Sequence, residues 1–545
     1  MTRGIFARLG AAAAALGLVV SLGACRSLGS SGTADSETNP LTGKAEVPAG
    51  LEKIYAQQVQ WGACDEDVDT HSGASCATLH VPLDYDNPQG QTIDVLMARV
   101  KATGTKIGTL FVNPGGPGGS GVQFLANLVD VLPGSLRDHY DIVGFDPRGV
   151  GHSTPVTCLD DAGLDAMLDG TFRAPEGDDA WKVADEVVRT LELPADPPPG
   201  VTAEDQRTMA MQVASWAKAC HNQVGDLLDH VDTVSTARDL DVMRAAVGDE
   251  KLAYLGYSYG TYLGQIYIDL FPDNVGRLVL DGVLAAGASM DEVAEIQAVG
   301  LEESLRHFVE YCRGQGHCPL TGTTDEGMRQ ISEFVAALAD NPLPAKNSDR
   351  VLTEQAAFTA LIGPLYNTSS YSSLNSALTA ALEKHDAAAM LALADAYTGR
   401  LPEGGYDSNS NEAFNAINAL DYPVVGGPKE WLESARRLAE KAPVLGPSMG
   451  YAAASQLAWG AREAPERKPV TGKGAQPVLL VNALHDPATP LAMAKDVHAH
   501  LDGSVLVTVD SWDHTTLATG SSCVDDLVAA YLLKGELPEG DRECH

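Results

Sequence analysis

Gly256-Tyr-Ser258-Tyr-Gly260 sets a serine between two glycines, with an apolar run before it and a helical pattern after it. That arrangement suits nucleophilic chemistry. The glycines let the backbone turn sharply from strand into helix, which leaves the Ser258 hydroxyl standing clear over the helix N-terminus. Lys251-Leu-Ala-Tyr-Leu-Gly256 reads as a short buried strand, and the segment from Thr261 to Phe271 as a helix stopped by Pro272. A second match, Gly446-Pro-Ser448-Met-Gly450, lacks this context. Pro447 fixes one dihedral and restricts Gly446, so Ser448 reads as a loop or helix cap.

A serine nucleophile needs a base, a carboxylate to orient that base, and donors for the oxyanion. Pro477-Val-Leu-Leu-Val-Asn-Ala is a continuous apolar strand, and Asp486 follows on the loop at its C-terminal end. Ser504-Val-Leu-Val-Thr-Val is the next strand, with His514 on the loop after it. The order serine, acid, histidine is that of an α/β-hydrolase. Asp281, closing Gly276-Arg-Leu-Val-Leu, competes with Asp486 for the orienting role. Asp513 does not, because neighbours in an extended segment point in opposite directions. The donors come from Asn113-Pro-Gly-Gly-Pro-Gly-Gly-Ser-Gly121, which follows the strand Gly108-Thr-Leu-Phe-Val. One donor is expected at Gly116 or its neighbour Gly115, and the other is the N–H of Tyr259. No G-K-[ST] follows these glycines and their spacing is not G-x-G-x-x-G, which argues against a nucleotide site.

The elements that must position these groups are strands near 108, 141, 252 and 277, alternating with helical segments. This is the pattern of a mostly parallel sheet with helices on both faces. An opening hairpin joins Cys76-Ala-Thr-Leu-His-Val-Pro-Leu-Asp-Tyr to Thr92-Ile-Asp-Val-Leu-Met-Ala-Arg-Val through Asn87-Pro-Gln-Gly. From 285 to 472 the sequence turns to Ala-, Leu- and Glu-rich helices, such as 292–311 and 374–396. These are expected to form a helical lid over Ser258, inserted between a first part of the core (51–284) and a second (473–545). Asp407, Asn409 and Asn411 hint at calcium, but Glu412 and Asn418 stand where an EF-hand needs glycine and glutamate.

Three segments together carry a family resemblance: Asn113-Pro-Gly-Gly-Pro-Gly, Tyr140-Asp-Ile-Val-Gly-Phe-Asp-Pro-Arg148-Gly-Val-Gly-His-Ser and Gly256-Tyr-Ser-Tyr-Gly-Thr. The chain resembles the secreted bacterial tripeptidyl aminopeptidases, relatives of prolyl aminopeptidases among the α/β-hydrolases. The match runs from about Trp61 to the C-terminus, and its closing segment from Cys523 to Cys544 is specific to that group. The resemblance implies cleavage of short peptides from free N-termini and gives Ser258, Asp486 and His514 the roles already derived. Two departures stand out. The family's lid carries a cysteine in A-I-x-C-x-D, whereas Ala416-Ile-Asn-Ala419-Leu-Asp421 has none, and the expected mate is Gln456, ahead of Trp459. Asp513 occupies a position that is normally small, where a carboxylate is expected to raise the pKa of His514.

Arg3 and Arg8 precede an apolar run ending in Leu22-Gly-Ala-Cys25. This run is too short to span a bilayer and resembles a lipoprotein signal, residues 1–24, with Cys25 as the lipidated terminus. The alternative is an ordinary cleaved secretion signal. Residues 25–50 read as a flexible tether. Eight further cysteines, Cys64, Cys76, Cys158, Cys220, Cys312, Cys318, Cys523 and Cys544, suit four bridges in an exported chain. Pairing of sequence neighbours closes the shortest loops. No C-x-x-C occurs, so zinc is disfavoured, and the reading calls for no metal and no cofactor. The formal charge is -36, which repels nucleic acid and anionic lipid and leaves the lipid as the only membrane anchor.

Three functions fit these features. The first is an exopeptidase acting on peptides with a free N-terminus, with lid carboxylates such as Glu292, Glu295 or Glu302 as candidate amine ligands. The second is an esterase with the same machinery. The third is a non-catalytic surface lipoprotein that binds peptides.

Overall fold

A computed structural model describes residues 47–198, 202–346, 348–461 and 464–545. Cys25 and the signal segment lie outside them. Twelve strands are present: β1 Gly62–Ala63, β2 Ser75–Pro82, β3 Thr92–Val100, β4 Gly108–Asn113, β5 Tyr140–Phe145, β6 Leu252–Tyr257, β7 Val275–Asp281, β8 Leu343–Pro344, β9 Val351–Leu352, β10 Leu479–Ala483, β11 Val505–Val509 and β12 Arg542–Cys544. Ten form one sheet in the order β1-β2-β3-β5-β4-β6-β7-β10-β11-β12. Pairing is antiparallel from β1 to β5 and parallel from β5 to β12.

β4, β5, β6 and β10 are buried along their whole length, as expected for strands covered on both faces. Alternate residues serve alternate faces. Phe111, Val143, Tyr254, Leu280 and Leu480 pack with helices Thr233–Ala246, Tyr259–Leu270 and Leu491–His500. Leu110, Ile142, Leu255, Val279 and Val481 pack with helices Gly121–Val131 and Ser522–Lys534. This is the α/β-hydrolase arrangement, and its parallel strands all deliver their C-terminal loops to one rim.

Between β7 and β10 the chain is helical apart from the β8–β9 ribbon. The helix expected over 292–311 is Met290–Arg313. The one expected over 374–396 is instead two helices, Tyr371–Lys384 and Ala388–Thr398. His385 between them is left-handed at φ 49°, and the Asp386 carboxylate accepts the N–H groups of Lys346 and Ala388. That side chain ends the apolar repeat as a helix would not.

Helices Asp179–Leu191 and Ala203–Val224, which precede β6, share a core with Pro428–Lys441 and Ala452–Trp459 from the insertion. The helical layer is therefore woven from two separated stretches of chain. Four disulfides join Cys64 to Cys76, Cys158 to Cys220, Cys312 to Cys318 and Cys523 to Cys544. No helix among the described residues is long and apolar enough to cross a membrane.

Candidate active site

Ser258 sits at the turn from β6 into helix Tyr259–Leu270 at φ 56° and ψ -126°, a conformation that costs a non-glycine residue strain. The neighbouring glycines make room for it. A Cβ on Gly256 would lie 2.4 Å from the Gly260 carbonyl oxygen, and one on Gly260 would lie 2.8 Å from that of Asn113. The Ser258 N–H donates to the Asp281 carbonyl at 2.9 Å. Ser448, in contrast, lies in a 3-10 turn, Gly446–Met449.

Asp486 is 1 % exposed. Its Oδ1 accepts the N–H groups of Ala488 and Thr489 at 2.9 and 2.7 Å. The Nδ1 of His514 lies 2.8 Å from Oδ1 and 3.0 Å from Oδ2. Asp281 does something else. Its carboxylate accepts the N–H groups of Thr516 and Leu517, at 2.9 and 2.7 Å, and the Thr516 hydroxyl, so it holds the backbone beyond the base rather than the ring. Burial pushes the Asp281 pKa up to about 6 despite those donors.

With Nδ1 donating to a carboxylate, the neutral imidazole presents Nε2 as its acceptor. Nε2 is buried and makes no hydrogen bond; Ser258 Oγ therefore closes on it only when the reacting state forms, as resting sites often require. Burial pulls the His514 pKa down, but Asp486, by charge and hydrogen bond, and then Asp281 outweigh it and hold the ring above its ordinary value. The expected source, Asp513, is not responsible. Its carboxylate faces away and accepts the Thr368 N–H at 2.7 Å.

Gly115 and Gly116 follow β4 at φ 95° and 110°. A Cβ on Gly115 would fall 2.9 Å from the Tyr259 nitrogen and 3.0 Å from the Ser258 Cβ, so this loop presses against the nucleophile as a bare backbone. The Tyr259 N–H, first in its helix, has no intrahelical acceptor. Asp146 after β5 braces the glycine loop by accepting the Val122 N–H and the Ser120 hydroxyl.

Ser258, Tyr259 and Gly116 line a cleft of about 130 Å³, roofed by Met290, Val293, Phe414, Asn418 and Tyr422 from the insertion. Among the described residues that line it none is a carboxylate. The three glutamates considered as amine ligands are engaged elsewhere. Glu292 caps its own helix at Ser289, Glu295 pairs with Arg437 and Lys441, and Glu302 accepts the N–H groups of Val444 and Leu445. The nearest buried acid is Asp421, bound to the N–H and hydroxyl of Thr233, with its pKa pushed up by burial to about 7. Sequence reasoning missed Thr489, whose hydroxyl lies 3.5 Å from His514 Nδ1 while its side chain also faces the cleft.

Residues 442–544 match a family model described as TAP-like protein. The chain is 33% identical over 522 residues to serine protease Hip1 of Mycobacterium tuberculosis, covering 92% of this chain and 95% of the relative. It is 35% identical over 519 residues to carboxylesterase B of the same organism, covering 93% and 94%. To the tripeptidyl aminopeptidase of Streptomyces lividans it is 32% identical over 505 residues, covering 89% and 86%. With relatives of this similarity along nearly its whole length and the hydrolase sheet beneath them, the chain belongs to the bacterial tripeptidyl aminopeptidase family of α/β-hydrolase serine hydrolases.

Proposed function

We propose that this protein is an exported serine exopeptidase that removes short peptides, in the tripeptide range, from free N-termini. The observation that carries the chemistry is the Asp486–His514 pair on the loops after β10 and β11, on the same rim as the strained Ser258 turn after β6. In this reading His514 Nε2 takes the Ser258 proton as Oγ attacks the scissile carbonyl, and the oxyanion rests on the N–H groups of Tyr259 and Gly116. Asp486 stabilises the imidazolium, which gives its proton to the leaving amine. Water then adds to the acyl-enzyme with His514 again as base, restoring the Ser258 hydroxyl. Helical residues 285–472 serve as a lid that limits the acyl portion to what the small cleft admits. Export rests on the signal pattern before Cys25 and on four disulfides, and lipidation of Cys25 would supply the anchor.

A second reading, an esterase with the same triad, is favoured by one observation: the cleft lining is largely apolar and offers no carboxylate to a substrate ammonium group. A panel of mono-, di- and tripeptidyl anilides, free and N-blocked, beside short acyl esters separates the two. Turnover confined to blocked peptides or esters would replace the first reading by the second. A fluorophosphonate that fails to label the protein at Ser258 would remove both.

A further inference from the structure

The loop that carries the base is held from two sides. From the sheet, Asp486 and Asp281 hold residues 514–517. From the helical insertion, three consecutive loop residues are held by three different contacts. The Trp512 ring is stacked between His307 of helix Met290–Arg313 and His485, the neighbour of Asp486, with ring centres 4.1 Å apart on each side. The Asp513 carboxylate accepts the Thr368 N–H at 2.7 Å. The His514 N–H donates to the Tyr366 carbonyl at 2.8 Å, and the two rings meet edge to face at 5.2 Å.

Residues 513–514 and 366–368 thus form a two-rung ladder in which one rung uses a carboxylate in place of a main-chain carbonyl. We propose that Asp513 is a positioning residue: it locks the base loop to segment 366–368, so that His514 is seated for catalysis only while that part of the insertion is docked. The proposal rests on the triad reading. Asp513 faces neither the cleft nor the imidazole nitrogens, so it acts through the backbone that carries the ring. An ionised acceptor on a main-chain N–H makes a stronger bond than a neutral one, and the reacting nitrogen tolerates little displacement.

The test compares second-order fluorophosphonate labelling, and kcat and KM on a substrate from the panel above, across four variants of the full chain. Asp513→Ala is expected to label and turn over about tenfold more slowly, with KM within about twofold of wild type, because only the seating of the base is disturbed. Asp513→Asn, which keeps an acceptor oxygen, recovers most of that loss. Thr368→Pro removes the donor from the other side. Asn367 is already extended at φ -149° and ψ 123°, which a following proline accepts, and Thr368 opens a short helix. This variant should match Asp513→Ala, and combining the two should cost no more than either alone. Wild-type rates in Asp513→Ala, or fully multiplicative losses in the double variant, would overturn the clamp. Undiminished labelling of His514→Ala would instead overturn the triad on which it rests.

Discussion

Asp281 and Asp486 close two adjacent strands and divide one task between them: Asp486 holds the ring of His514, and Asp281 holds the main chain of Thr516 and Leu517 just beyond it. Their substitutions should therefore have different signatures. Asp486→Asn is expected to lower kcat by about 10⁴, through the wrong tautomer, with little change in fold. Asp281→Asn should chiefly destabilise, since an amide cannot satisfy every donor now pointing at the carboxylate. Steady-state kinetics beside urea melts would show the split. Equal rate losses would refute it.

The raised pKa of His514 sets the acidic limit of activity. The base must be neutral, so the rate should climb with pH through a midpoint above 6.5, the ring's ordinary value. In stability the sign is opposite: a pKa raised on folding contributes stability that is present below the unfolded value and is lost as pH rises through the folded one. Because Asp281 is one of the charges that push the ring up, Asp281→Asn should move the kinetic midpoint to lower pH. A pH profile of kcat/KM for the two proteins is the check.

Gly115 leaves no space for a side chain beside the nucleophile. Gly115→Ala would place a methyl against the Tyr259 N–H at a positive φ, and a loss of 10²–10³ in kcat is expected, about that of one oxyanion donor. A variant that melts like wild type yet keeps full activity would show that the oxyanion is held elsewhere.

Arg148 is wholly buried and spends its donors on Asp239 and on the carbonyls of Pro82, Leu83 and His230. Arg148→Met strands the Asp239 charge and should cost about 3–5 kcal/mol. Denaturant unfolding measures it, and a loss under about 1 kcal/mol would mean that the cluster relaxes freely.

Ala419 and Gln456 line a single cavity of about 260 Å³, which brings together the two positions where the family resemblance implies a bridge. Ala419→Cys with Gln456→Cys is expected to oxidise to a fifth disulfide and to raise stability by about 2–4 kcal/mol. Peptide mapping without reductant detects the link. Two free thiols in the folded double variant would place these residues too far apart.

Local pattern made Ser258 and His514 legible, since each lies where an apolar strand meets a loop and glycine or chain order marks the place. The choice between Asp486 and Asp281 was less visible. Both acids close core strands, and only the course of residues 514–517 decides which carboxylate meets the ring. Asp513 shows a further limit: its sequence neighbour suggested an electrostatic role, yet its partner is Thr368, far away in the chain. The contribution of Asp179–Leu191 and Ala203–Val224 to the helical layer was hidden for the same reason, because pairing between distant helices leaves no periodic signature. The break at His385 escaped notice because apolar spacing runs through it while the polar Asp386 ends the helix.

Placing the nucleophile after β6 and its partners after β10 and β11 has a consequence for biosynthesis. A ribosome releases the reactive hydroxyl early and the imidazole that awakens it almost last. A polypeptide still threading through a translocon, or one nicked anywhere within the intervening helices and parted from its final strands, carries a dormant serine; hydrolytic power arrives only with assembly of the finished rim.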